Sequence, residues 1–256
     1  LRTLHDRSLV VAVQDRGTRR FTLLETTRRF VRPHLGGRAE HMAVQRHADH
    51  FADLAGALLP GARRGLPESL QQLGELRDEL RAALGAPRVS NASRSRVAES
   101  LHVELSAHAE PAFHVATLLT LPEALGTGGT TEGGRCRLLL AGAMVRAGRR
   151  AEADALAAEV LSEGGEENSA EAEYVLALCR VEAGDYPAAI AGLTRSMSGC
   201  LPDLRGPVLV AMGLACRLGL HYERAADALQ QALGAALDTH DLKLESRAHI
   251  GLSNLC

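Results

Sequence analysis

The sequence predicts a mainly α chain whose second half is a solenoid of stacked helical hairpins, preceded by a helical linker and one β-hairpin. Two observations carry this. Hydrophobic residues make up 46% of the 256 residues, yet aromatics are 3% and Trp is absent. That Leu/Ala-rich mix suits helices packed through small residues and suits a β-sandwich poorly. The second observation is an internal repeat over residues 135–256. Leu140, Leu176 and Met212 share one register, as do Ala141, Ala177 and Gly213, and Ala143, Cys179 and Ala215. Ala153, Ala189 and Ala225 follow, then Leu161, Met197 and Leu233. Small residues at the middle of each helix admit close antiparallel approach, and a hairpin that cannot bury its apolar face alone must stack on the next.

Residues 1–35 read as a helix end, a hairpin and a helix. Leu9–Val13 and Phe21–Leu24 are β-prone runs around the turn-rich Asp15-Arg16-Gly17-Thr18. Glu25 suits a helix N-terminus, and Pro33 with Gly36-Gly37 ends the helix. Residues 36–134 read as a helical linker. Ala43, His47, Phe51, Leu54 and Leu58 form one stripe up to a break at Pro60-Gly61, and Leu70, Leu73, Leu76, Leu80 and Leu84 form a second. Ser90–Ser95 is polar and turn-like, helices are expected over Val97–Ala107 and Phe113–Leu125, and Gly126–Gly134 is a Gly/Thr-rich loop. Within the repeats Gly148 and Gly184 mark tight turns. Leu220 takes that place in the third unit, where a looser turn is expected. Ser246, Ile250, Gly251 and Leu255 look like the first helix of a further unit, and the chain, beginning at Leu1 rather than Met, reads as a piece of a longer protein.

The bulk numbers exclude several classes. No apolar run is long enough for a transmembrane helix. Five scattered cysteines without a CxxC pair point to reduced thiols and a cytoplasmic setting. Net charge is −2, but unevenly spread. Residues 1–47 hold ten Arg against four Asp and Glu, a balance of +6, which leaves −8 for the rest.

Residues 135–256 resemble tetratricopeptide (TPR) repeats, most clearly in EYVLALCRVEAGDYPAAIAGL (Glu173–Leu193). The early aromatic is present only as Tyr174, the closing Pro is displaced to Pro202, and the period exceeds the usual one. The motifs LHDRSLVVA, FTLLETTRRFVRPHL, RHADHFADLA and LQQLGELRDELRAAL occur in this order before residue 85. Together they resemble the stretch after the nucleotide-binding core of bacterial STAND-class (NB-ARC, LuxR-type or antibiotic-pathway) transcription regulators. The resemblance implies a winged-helix remnant over residues 1–35, a helical linker over 36–134 and a TPR-like sensor over 135–256. It implies an ATP or ADP site upstream of Leu1, since no GxxxxGKS/T loop is present. The partners it implies are the regulator's own nucleotide-binding core or a signalling protein, with DNA bound weakly or through missing domains, and no membrane. The alternatives are a free-standing TPR adaptor for a peptide and a winged-helix DNA-binding protein with a helical dimerisation tail.

No Ser/His/Asp or Cys/His grouping has local support, so no catalysis is expected. His47 and His50 lie at metal-ligand spacing, but within RHADHFADLA packing is their natural role, and Glu166-Glu167 reads as a solvated turn. Two sets of binding residues stand out. Arg16, Arg19, Arg20, Arg28 and Arg29 form a basic patch at the hairpin that faces either phosphate or the missing core. In a TPR stack the first helix of each hairpin lines the concave groove, which singles out Arg146, Tyr174, Glu182 and Arg217. A guanidinium fork suits a carboxylate, so these four are expected to receive an extended or helical segment carrying an acidic group.

Overall fold

The computed structural model describes residues 2–15, 18–31, 34, 36–120 and 130–255. The chain forms two compact units, Leu1–Arg46 and His47–Cys256. The first holds α1 (Arg2–Asp6), the antiparallel strands β1 (Val10–Asp15) and β2 (Thr18–Leu23), and α2 (Glu25–Val31). The hairpin register runs from Val10 opposite Leu23 to Asp15 opposite Thr18. Glu25 opens α2 and accepts a hydrogen bond from Arg29 one turn on, at 3.1 Å.

The boundary lies within α3 (Arg38–Arg63), which is followed by α4 (Pro67–Gly85), α5 (Asn91–His108) and α6 (Pro111–Leu118). Three expectations are corrected here. The expected break at Pro60 does not occur; the helix runs on to Arg63. Pro60 removes one helix bond, to the carbonyl of Gly56, a turn before the helix ends. The end itself is a Schellman closure, with Leu66 N–H on the Gly61 carbonyl, Gly65 N–H on that of Ala62, and Gly65 at φ +78°. The buried stripe of α3 is Ala48, Ala52, Ala55 and Ala62, not the stripe of larger residues; Leu54 is exposed. Ser90–Ser95 is not a turn. Ser90 caps α5 by accepting from Ser93 N–H, and Ser93, Arg94 and Ser95 are buried in the helix. The Ser93 hydroxyl bonds to Asp49 of α3 and one guanidinium nitrogen of Arg94 donates to the Ala86 carbonyl, so neighbouring elements supply partners to these buried side chains. In α4, Leu73, Leu80 and Leu84 of the expected stripe are buried.

Residues 121–129 lie outside the described residues, and with them the first four residues of the expected Gly/Thr loop and the end of the helix expected over Phe113–Leu125. The loop's last residues are helical instead: Thr130 caps α7 (Thr131–Arg146) through Gly133 N–H at 3.2 Å. Then follow α8 (Arg150–Ser162), α9 (Glu166–Ala183), α10 (Tyr186–Gly199), α11 (Pro202–Leu218), α12 (Tyr222–Thr239) and α13 (Leu242–Ser253). These are three antiparallel hairpins stacked in sequence order plus the first helix of a fourth, a TPR-like α-solenoid.

Its packing follows from the small residues. Ala153, Ala189 and Ala225 are wholly buried at the hairpin contacts. Leu229 lies between Gly213 of α11 and Gly251 of α13; a Cβ on either glycine would come within 2.5 and 2.6 Å of it. Ala189→Leu is therefore expected to overpack the middle hairpin and destabilise by about 1–3 kcal/mol, read as a lower thermal midpoint; an unchanged melt would contradict the register.

The three hairpin turns are the same Schellman closure. Arg149 N–H meets the Met144 carbonyl, Asp185 N–H that of Arg180, and His221 N–H that of Cys216. The residue before each is left-handed: Gly148 at φ +73°, Gly184 at +81° and Leu220 at +64°. The third turn is thus not looser, as the Leu suggested, but strained, because the closure demands a conformation that crowds a Cβ. Leu220 is 71% exposed and contributes little packing. Leu220→Gly is expected to stabilise the chain by about 1 kcal/mol, measured by urea denaturation; a loss of stability would show that Leu220 has packing worth more than its strain.

Candidate functional site

In a TPR-like stack the first helix of each hairpin takes the inner side; here these are α7, α9, α11 and α13, which contact one another in turn along the stack. The second unit curls tightly enough that α13 meets residues far back in the chain. The α3–α4 turn docks on it: Lys243 N–H donates to the Arg64 carbonyl at 3.2 Å, and Gly65 lies so close that a Cβ there would be 3.1 Å from the Lys243 Cβ. Arg63 reaches from this turn to both Glu99 of α5 and Asp203 of α11, and Arg135 of α7 also donates to Glu99. Both partners of Glu99 stand 36 residues from it.

The same spacing continues. Arg63, Glu99, Arg135, Glu171, position 207 and Lys243 form one column along the inner wall. Its charges alternate: cation, anion, cation, anion, then Pro207, then Lys243. Glu171 lies in the field of Arg135, Arg63 and Glu99, and burial pushes its carboxyl up despite the two arginines. At the far end the alternation fails, since Pro207 supplies no acid. Lys243 lies instead in the field of two further cations, Arg146 and Arg247, with only Asp241 opposing them. Desolvation and both arginines push the ammonium down, and desolvation likewise pushes Arg146 down. Both residues nonetheless keep solvent exposure.

Two histidines back this region. His102 of α5 and His114 of α6 face each other with ring centroids 4.9 Å apart. His114 is wholly buried; among the described residues neither of its ring nitrogens has a hydrogen-bond partner, nor does Nδ1 of His102. Desolvation, then His114, Arg146 and Lys243, lower His102 to about 3, against a hydrogen bond to Leu139 that raises it. Desolvation and Arg146 lower His114 to about 4. Both rings are neutral at pH 7, in the field of an arginine.

Of the four groove residues read from the repeat, the structure gathers two here. Tyr174 lies beside Arg247, its phenol pushed up by burial against the pull of that arginine, and Arg146 lies by Lys243. Glu182 is exposed at the end of α9, where its backbone carbonyl accepts from Arg150 at 3.3 Å. Arg217 is partly buried near the end of α11. Lys243, Arg247, His102 and His114 escaped the sequence reading. Of the basic patch in the first unit, Arg19 and Arg20 are on β2 and Arg28 on α2, their side chains outside the described part. Arg16 lies wholly outside the described residues, and Arg29 is exposed and paired with Glu25. His47 bonds to Glu79 at 3.0 Å and packs on Phe51, which is the packing role expected of it. No helix among the described residues is long and apolar enough to cross a membrane.

By fold the molecule belongs with TPR-like helical solenoids. Among solved structures it is similar to PlcR of Bacillus thuringiensis, seen in complex with the peptide PapR7 and DNA, at TM-score 0.55 and 14% identity over 76% of this chain and 72% of that one. No family model and no curated protein matches the sequence.

Proposed function

We propose that this chain is the sensor module of a transcription regulator, and that its inner wall receives a peptide segment carrying an acidic group. The observation that carries this is the cation set on the first helices: Lys243 of α13 lies in the field of Arg247 and of Arg146, nearly a hundred residues away, and Tyr174 lies beside Arg247. A wall so lined suits an extended or helical chain, with an aromatic face for its apolar side chains and cations for its acid. The structural neighbour, a regulator held with a peptide and DNA, supports the same reading. The ordered N-terminal motifs favour a more particular form of it: a STAND-type parent with its ATP site upstream of Leu1, whose own core could be the segment bound. In either form this chain catalyses nothing, and DNA contact falls to the basic first unit or to other domains.

The test is direct. Peptides selected from a random displayed library on the 256-residue chain are expected to bind the inner wall, so that Tyr174→Ala with Arg146→Ala weakens them about tenfold or more while the melt stays cooperative. Selected peptides that bind this variant unchanged would place recognition elsewhere.

A further inference from the structure

We infer that the groove between α10, α11 and α12 is a docking site for an acidic amphipathic helix of a partner protein. It lies on the third hairpin, apart from Arg146 and Tyr174, and stands independently of the inner-wall reading.

The repeat shows why this groove is open. Arg137, Glu173 and Leu209 share one register, and so do Glu159, Arg195 and Gln231. In the first hairpin Arg137 straps α7 to α8, donating to Glu159 at 3.4 Å and to Glu163 at 2.7 Å. In the second the signs are reversed, and Arg195 donates to Glu173 at 2.7 and 2.9 Å. In the third the strap is gone: Leu209 and Gln231 stand in its place, and both line the groove. A second register agrees. Met144, Arg180 and Cys216 correspond. Arg180 lies across the second hairpin, its Nη1 donating to the Ala188 carbonyl at 3.5 Å and lying 3.0 Å from where a Cβ on Gly192 would be. Cys216 is too short to cross in this way. What remains is a groove of about 280 Å³ with Leu209, Met212 and Cys216, one stripe of α11, along it.

The lining names the occupant. Arg205 begins the α11 stripe, and Arg224 stands at the start of α12, which returns antiparallel to α11. The two cations therefore belong to opposite ends of the groove. Both are exposed, and neither forms an ion pair among the described residues. Gly133 and Ser169 hold the register of Arg205, and Glu152 and Ala188 that of Arg224, so these cations are peculiar to the third hairpin. Asp227 is the one acid on the lining, which leaves the groove net cationic. From Arg205 to Cys216 the stripe spans three turns, about 16 Å. A helix laid along it presents side chains at the same intervals, with acids at its ends for the arginines and apolar residues between. Met197 of α10 and Met212 offer flexible thioethers that mould to such apolar side chains.

The experiment is an NMR titration of the whole chain, labelled at its methionine methyls, with a capped helical peptide carrying two glutamates three turns apart and leucines at the turns between. The chain has four methionines, so Met197 and Met212 report on the groove while Met42 and Met144 serve as references. We expect the Met197 and Met212 signals to shift saturably and the references to stay. Arg205→Ala with Arg224→Ala should weaken binding about tenfold or more. Arg205→Glu with Arg224→Glu, both at exposed positions, should reject this peptide and bind its lysine counterpart instead. Leu209→Glu with Gln231→Arg restores the strap and should abolish binding; if that variant loses its cooperative melt, the charge-swapped one decides. Absence of a saturable shift, equal binding of the glutamine counterpart, or an unchanged preference in the charge-swapped variant would each overturn the site. Met197 and Met212 signals that move with chain concentration before any peptide is added would overturn the partner and give the groove to a second copy of the chain.

Discussion

Lowering the pH from 8 to 5 is expected to remove about 4 kcal/mol of folding stability through two histidines alone. His102 and His114 titrate near 3 and 4 in the fold against an ordinary 6.5. The unfolded chain therefore binds protons that the folded chain refuses. Stability is intact above pH 6.5 and falls as the pH drops below it, until the folded-state values near 4 and 3 are reached. At pH 5 each ring contributes about 2 kcal/mol to the loss. Burial of the two rings holds the folded values down, with Arg146 adding to it for both and Lys243 for His102. Urea denaturation at the two pH values checks this. His114→Leu should remove about half of the histidine-driven loss. It should also raise stability at pH 8 by about 1 kcal/mol, since two partnerless buried nitrogens disappear. An acid limb unchanged in His114→Leu would show that the ring is hydrated or partnered in the folded state.

The second large effect lies outside the repeats. Glu104 of α5 is wholly buried, and Arg77 of α4 donates to both of its oxygens, Nε at 2.9 Å, with His108 at 3.5 Å. Arg77→Ala leaves a buried carboxylate without its main partner and is expected to destabilise by about 2–4 kcal/mol, reduced from the fully buried case because Arg77 is itself partly exposed. Arg77→Met with Glu104→Leu, which removes both charges, should recover most of the loss. If the single variant is as stable as the parent, the α4–α5 contact is held by Leu73, Leu80, Leu101 and Leu105 alone.

What the sequence disclosed and what it hid have physical reasons. The stacked hairpins were legible because close helix approach demands Ala or Gly at fixed positions, and Ala153, Ala189 and Ala225 recur with the period. The start of α5 was not, because Ser90, Ser93 and Arg94 look like a loop until Asp49 and the Ala86 carbonyl are brought to them by other helices. The buried stripe of α3 was missed for the opposite reason. The larger residues drew the eye, while the alanines one step away make the contact. Two of the three cations, Lys243 and Arg247, went unread because they lie on α13, beyond the three units whose columns define the register. A signal was present nonetheless. Reading the period backwards from Lys243 gives Glu171, Arg135, Glu99 and Arg63, a column of charges inside an apolar repeat. Charge at a position that faces inward is informative where charge on a solvated face is not.

Recognition by the inner helices has a signature in hydrogen exchange of the whole chain, measured with and without a peptide selected on it. Slowed exchange is expected at the end of α7, along α9 and in the first turns of α13, with α8, α10 and α12 unchanged. Protection concentrated on α8, α10 and α12 would contradict it and place the partner on the outer face.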